Sequence, residues 1–111
     1  GPGATNALTP CAAAWMDSVA VLFISGQAKS TTLIGDSGLR VRGVQEVDII
    51  SMVKPITKLH YRMISEIRKE QDDLSLDTEL RMTIDLALKG RQGPVWWDIP
   101  LDIQAEELWH V

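Results

Sequence analysis

Residues 19–24, Val-Ala-Val-Leu-Phe-Ile, form an unbroken apolar run that stops at Ser25 and Gly26. A strand with one wet face alternates apolar and polar side chains. A run without alternation suits a strand covered on both faces, as in a parallel sheet. Ser25 and Gly26 read as turn residues, which sets Gln27 just beyond the strand's C-terminal end.

The flanking segments have the pattern such a sheet requires. Residues 7–18 are Ala-rich and contain Trp15 and Met16, which suits a buried helix. Residues 28–43, rich in Ser, Thr and Gly, read as a long loop. A short helix is expected over 44–53, with Val44, Val47 and Ile50 inward and Pro55 ending it. Residues 59–64 alternate enough for a strand, and the charged stretch 66–73 reads as a solvated turn or helix start. Over 75–88, Leu76, Leu80, Ile84, Ala87 and Leu88 share one helical face, and Gly90 is a natural stop. Residues 95–99 form a third strand, ended by Pro100, whose Trp96 and Trp97 must face opposite sides. Helix, strand, helix, strand, helix, strand means an α/β fold: three layers, a mostly parallel sheet, helices on both faces. Three strands make a thin core whose two edges need cover, so further strands are expected.

Size and charge narrow the possibilities. A chain of 111 residues holds one domain at most. Its formal charge of -4, with the densest basic groups at Arg40/Arg42 and Arg68/Lys69, gives no electrostatic reason to bind nucleic acid. No apolar run approaches the ~20 residues that span a bilayer, so no membrane association is expected. Cys11 is the sole cysteine. It excludes an internal disulfide, fits a reducing, cytoplasmic setting, and reads as a small buried hydrophobe. His60 and His110 lie in no metal-ligand or triad spacing, and Gly35-Asp36 is too short a cluster to argue for a metal.

The remaining segments carry chemistry. Gly1-Pro2-Gly3-Ala4-Thr5-Asn6 is loop chemistry leading into a helix, with Thr5 or Asn6 available as a cap. It is followed by Ser25-Gly26-Gln27, by Val44-Gln45-Glu46-Val47-Asp48, by Pro55-Ile56-Thr57-Lys58, and by Gly90-Arg91-Gln92-Gly93-Pro94-Val95 leading to Asp98-Ile99-Pro100. Together these resemble the pyrimidine-binding domain of thiamine-diphosphate-dependent enzymes, nearest the acetolactate synthase group. The resemblance covers residues 1–104 as a partial domain, leaving 105–111 as an extension or the start of a linker.

The resemblance implies a parent enzyme that uses thiamine diphosphate and Mg, and FAD as an option. It would act on a 2-oxo acid such as pyruvate as a carboligase or decarboxylase, through an adduct at C2 of the cofactor. Gly1, Pro2 and Asn6 match the loop against the pyrimidine, and Gln27 matches the amide that reaches the active site. Lys58 matches a residue lining the substrate approach. Gln45 and Glu46 match a segment near the subunit interface. The family's activating Glu lies upstream of the Gly-Pro-Gly motif and its Mg ligands lie in another domain, so no catalytic residue and no metal ligand is assigned here. Sites in this family form between subunits, which implies a homodimer or tetramer, and this chain alone is expected to be inactive. Arg91 and Gly93-Pro94 read as a structural turn. The 27–45 loop and the segment after Tyr61 are longer than the family pattern, which puts the substrate in question. The alternative from another class is a non-catalytic pyrimidine-domain relative acting as an interaction or regulatory subunit.

Overall fold

The computed structural model describes residues 1–65 and 74–107. The expected solvated stretch 66–73 with Arg68 and Lys69 lies outside them, as do His110 and the rest of residues 108–111 of the expected extension. A 3-10 turn over Pro2–Ala7 runs into α1 (Leu8–Asp17), then come β1 (Val21–Gln27), α2 (Ile49–Val53), β2 (Leu59–Arg62), α3 (Leu76–Leu88), β3 (Pro94–Pro100) and α4 (Leu101–Gln104). The sheet has the order β1-β3-β2. Both pairings are parallel, with Phe23 opposite Trp96 on one side and His60 opposite Trp96 on the other. This is the expected α/β arrangement.

The two adjacent indoles of β3 organise the two faces. Trp96, 1% exposed, packs with Cys11 of α1 and with Ile49 and Val53 of α2. Phe23 stacks on it at 5.0 Å between ring centroids. Trp97 packs on the other face with Met63, Ile103 of α4, and Leu76 and Leu80 of α3. Tyr61 meets it edge-on at 6.4 Å. Burial of each indole contributes on the order of 4–5 kcal/mol from area alone. Each N–H also finds a partner: Trp96 donates to Ser25 Oγ at 2.8 Å and Trp97 to Thr83 Oγ1 at 3.2 Å.

Several expected boundaries move. Pro2 sits at the first position of a helical turn, so that turn starts at once and Thr5 and Asn6 fall inside it. Neither caps a helix; Thr5 Oγ1 donates back to the Pro2 carbonyl at 2.7 Å. Ser25 and Gly26 are not a turn. Their pairing with Asp98 and Ile99 continues the strand, and Gln27 is its last residue. The helix expected over 44–53 forms only as Ile49–Val53, because Asp48 caps it by accepting the Ser51 N–H at 3.3 Å. Its end is as expected, at Val53, and Pro55 stands within a following 3-10 turn. On α3 the buried residues are Thr83 and Ala87, whereas Ile84 and Leu88 are exposed at 42% and 52%. Gly90 does take the left-handed conformation of a helix stop, at φ 64°.

Candidate functional site

In open parallel sheets, ligands gather beyond the C-terminal ends of the strands. At that end of β1 the Gly1 nitrogen donates to the Gly26 carbonyl, which lays the Gly1-Pro2-Gly3 turn beside the strand. A cleft of about 250 Å³ lies between this turn and the sheet, walled by Gly1, Ala4, Ala7, Phe23, Ser25 and Trp96. Gly1 has no room for a side chain, since a Cβ there would stand 2.3 Å from the Gln45 carbonyl oxygen. Gln45 itself bends through φ 53°.

Behind the cleft wall is a buried polar cluster centred on Asp98, which has no exposed surface. One carboxylate oxygen accepts from Ser25 Oγ at 2.7 Å. The other accepts from Gln27 Nε2 at 3.1 Å and from the Arg62 guanidinium at 3.2 Å. Arg62 also meets Asp48 at 3.2 Å. Central β3 is thus tied to both edge strands and to the cap of α2. Gln27 Nε2 additionally donates to the Val47 carbonyl at 2.5 Å, and its Oε1 accepts the Ala28 N–H at 2.9 Å. Both polar atoms of the Gln27 side chain are therefore engaged within the chain.

Glu46 anchors the long loop. Its carboxylate accepts the backbone N–H groups of Ile34 at 2.7 Å, Arg42 at 3.1 Å and Gly43 at 3.0 Å. Desolvation pushes its pKa up, but those N–H groups and the Arg62 charge outweigh it and hold the carboxyl below the usual glutamate value. Asp102 acts likewise at the loop's start, accepting the Ser30 N–H at 2.9 Å and its hydroxyl. Burial raises its pKa, and the bonds from Ser30 together with those from the Asp102 and Ile103 backbone more than reverse that. Asp48 is lowered too, with the Ser51 bonds and Arg62 overcoming desolvation. Cys11, fully buried, has its thiol pushed up to about 11 by desolvation. That accords with a packing role and not a nucleophilic one.

The structure brings Gly1, Gln27, Gln45 and Glu46 to one end of the sheet. Pro2 and Asn6 stand exposed on the adjoining turn. Lys58 is not among them. It precedes β2 at the opposite, N-terminal end of the sheet, where its ammonium donates to the carbonyls of Leu86 and Lys89 (the latter at 2.5 Å) and closes α3. Beside it a second hollow of about 460 Å³ opens between Trp15, Met16, Arg91 and Gln92. Asp48 and Asp98 each stand within a sequence motif that marks no role for them, and Arg62 stands in none. A lone acid inside an apolar strand was the available signal, because a buried carboxylate requires partners.

No protein-family model matches the chain. Over 108 residues, 97% of its length, it is 36% identical to the probable acetolactate synthase large subunit of Methanocaldococcus jannaschii. It is 39% identical over the same share to the acetolactate synthase large subunit of Corynebacterium glutamicum. For the acetolactate synthase isozyme 1 large subunit of Escherichia coli the figures are 38% and 95%. The chain is thus similar to one stretch of acetolactate synthase large subunits. It spans about a sixth of the length of these curated relatives, 15–16%.

That likeness frames a test of fit. A cleft walled by bare glycine backbone and aromatic carbon suits a flat heteroaromatic ring, so the pyrimidine half of thiamine diphosphate fits here. Among the described residues no group of three or more His, Cys, Asp or Glu side chains is placed to hold a metal ion. Among those residues, too, no helix is long and apolar enough to cross a membrane.

Proposed function

We propose that this chain is the pyrimidine-side segment of a thiamine-diphosphate-dependent enzyme of the acetolactate synthase type, acting on a 2-oxo acid such as pyruvate. The observation that carries this reading is 36–39% identity to acetolactate synthase large subunits over nearly the whole chain. The relatives are named for a synthase, so a non-catalytic interaction module is not favoured. When bound, thiamine diphosphate supplies the nucleophilic carbon and the electron sink for decarboxylation and acyl transfer.

The chain's own residues bind and orient. Gly1 and Gly26 let backbone approach the ring closely, while Phe23 and Trp96 keep water from its face. Asn6 and Pro2 border the same turn as candidate contacts. Gln27 acts from behind the wall, through Asp98 and the Val47 carbonyl. Gln45 and Glu46 would lie toward a second subunit, which supplies the Mg-diphosphate half; FAD belongs to the same proposal.

The test is to purify the longest polypeptide that carries this segment and assay it with pyruvate, Mg and thiamine diphosphate. Acetolactate and carbon dioxide are expected, and none from the 111-residue chain alone. Carbon dioxide without a ligated product would move the protein among the decarboxylases. No cofactor-dependent consumption of any 2-oxo acid would reject the reading.

A further inference from the structure

The loop after β1 is held by carboxylates more than by apolar packing. Three of its backbone N–H groups, from Ile34, Arg42 and Gly43, converge on Glu46 at 2.7–3.1 Å. Gly43 is buried where a Cβ would stand 2.8 Å from Ala28 Cβ and 2.9 Å from Thr32 Oγ1, so the loop folds tightly onto its own start. Directly before Glu46, Gln45 adopts φ 53°, a left-handed conformation that costs energy for a residue with a side chain. That bend sets the Gln45 carbonyl against Gly1, which in turn bonds Gly26 beside the cleft. One line of contact therefore runs from the Glu46 carboxylate through a strained bend to the glycine turn.

We propose that Glu46 is a positioning residue: its carboxylate gathers the 34–46 loop, holds Gln45 in its left-handed bend, and thereby fixes the Gly1-Pro2-Gly3 turn at the cofactor cleft. The inference rests on the acetolactate synthase-like reading of that cleft. Charge-assisted N–H bonds are stronger than neutral ones, and an amide in place of the carboxylate turns its own N–H groups toward at least one of the three donors. The strain at Gln45 is then no longer opposed. Glu46 touches no reacting atom, so its loss should appear in cofactor binding and not in turnover.

The test uses Glu46→Gln in the full-length polypeptide carrying this segment, with two measurements. Tryptic cleavage at Arg40 and Arg42, exposed in the loop, should quicken by about tenfold while cleavage elsewhere is unchanged. The KM for thiamine diphosphate should rise by about tenfold, with kcat at saturating cofactor within about twofold. Adding Gln45→Asn, a residue that tolerates the left-handed region, should recover much of the KM. If Glu46→Gln does not fold, Glu46→Asp keeps the charge, withdraws it by one methylene, and is assayed in the same way. Unchanged loop cleavage, equal acceleration at all tryptic sites, or a fall in kcat at constant KM overturns the proposal. An unaltered polypeptide with no cofactor-dependent turnover defeats the proposed function instead, and the cleavage pattern still decides the role of Glu46.

Discussion

A carboxylate without exposed surface needs partners for both oxygens, and Asp98 has Ser25 on one and Gln27 and Arg62 on the other. Removing it strands a hydroxyl, an amide and a guanidinium together. Asp98→Ala is expected to lower the unfolding free energy by about 3 kcal/mol, read from chemical denaturation. Arg62 is 31% exposed and recovers some hydration, which keeps the loss from being larger. Asp98→Asn retains the shape and one acceptor and should cost less; equal stability of the alanine variant would remove Asp98 from its central role. At this scale the sequence pointed to Gly1 and Gln27 by their neighbours in the chain. It did not assign Asp98, Arg62 or Asp48, whose meeting depends on strand register: Arg62 and Ser25 flank Asp98 only because both edges pair in parallel with β3.

At the level of elements, periodicity located α3 and its inward Leu76, Leu80 and Ala87, but put Ile84 and Leu88 on that face and not Thr83. Trp97 reaches Thr83, and Thr83 also donates to the Glu79 carbonyl at 2.7 Å. The indole needs a polar partner, and Thr83 lies inward to supply it, while Ile84 and Leu88 lie outward. The start of α3 was legible, since the Ser75 hydroxyl accepts the Thr78 N–H at 3.4 Å as an N-cap. Its end was legible only in part. Gly90 marks the stop, but the terminal carbonyls of Leu86 and Lys89 are met by Lys58, from a different element. A cation at a helix C-terminus that also donates to its free carbonyls contributes about 1 kcal/mol. Lys58→Met should therefore lower the thermal midpoint by several degrees, about 4–8 °C for a domain of this size, with faster amide exchange in the last turn of α3. No change in either would assign Lys58 a role outside the fold. The short α2 has a related history: its expected first turn is taken up by the Gln45 bend and the Glu46 bonds, and Asp48 starts the helix late.

At the scale of the molecule, among the described residues, β3 is enclosed while β1 and β2 form edges. Apolar side chains remain in water along the β1 side and on α1, with Ile24 61%, Met16 68% and Trp15 41% exposed. The radius of gyration is 14.5 Å, against about 13 Å for a compact chain of this length. Open strand edges with apolar neighbours template association. The isolated chain is therefore expected to self-associate, with sedimentation coefficients that rise with concentration. A single monomeric boundary across the range would mean that these surfaces are tolerated in water.

The sequence alone determined the class of fold, since an unbroken apolar strand and alternating helical and strand periods leave few other ways to bury the chain. It also determined the likeness to acetolactate synthases, because the motif residues stand in order along the chain. Only the tertiary structure decided which polar groups share an interior, that Gln27 is engaged with Asp98 and Val47, that Glu46 gathers a loop, and that Lys58 closes a helix at the far end of the sheet. Periodicity reports which face of an element avoids water. It carries no information on which distant donor will meet a buried acceptor, and that pairing is settled by strand register and helix rotation.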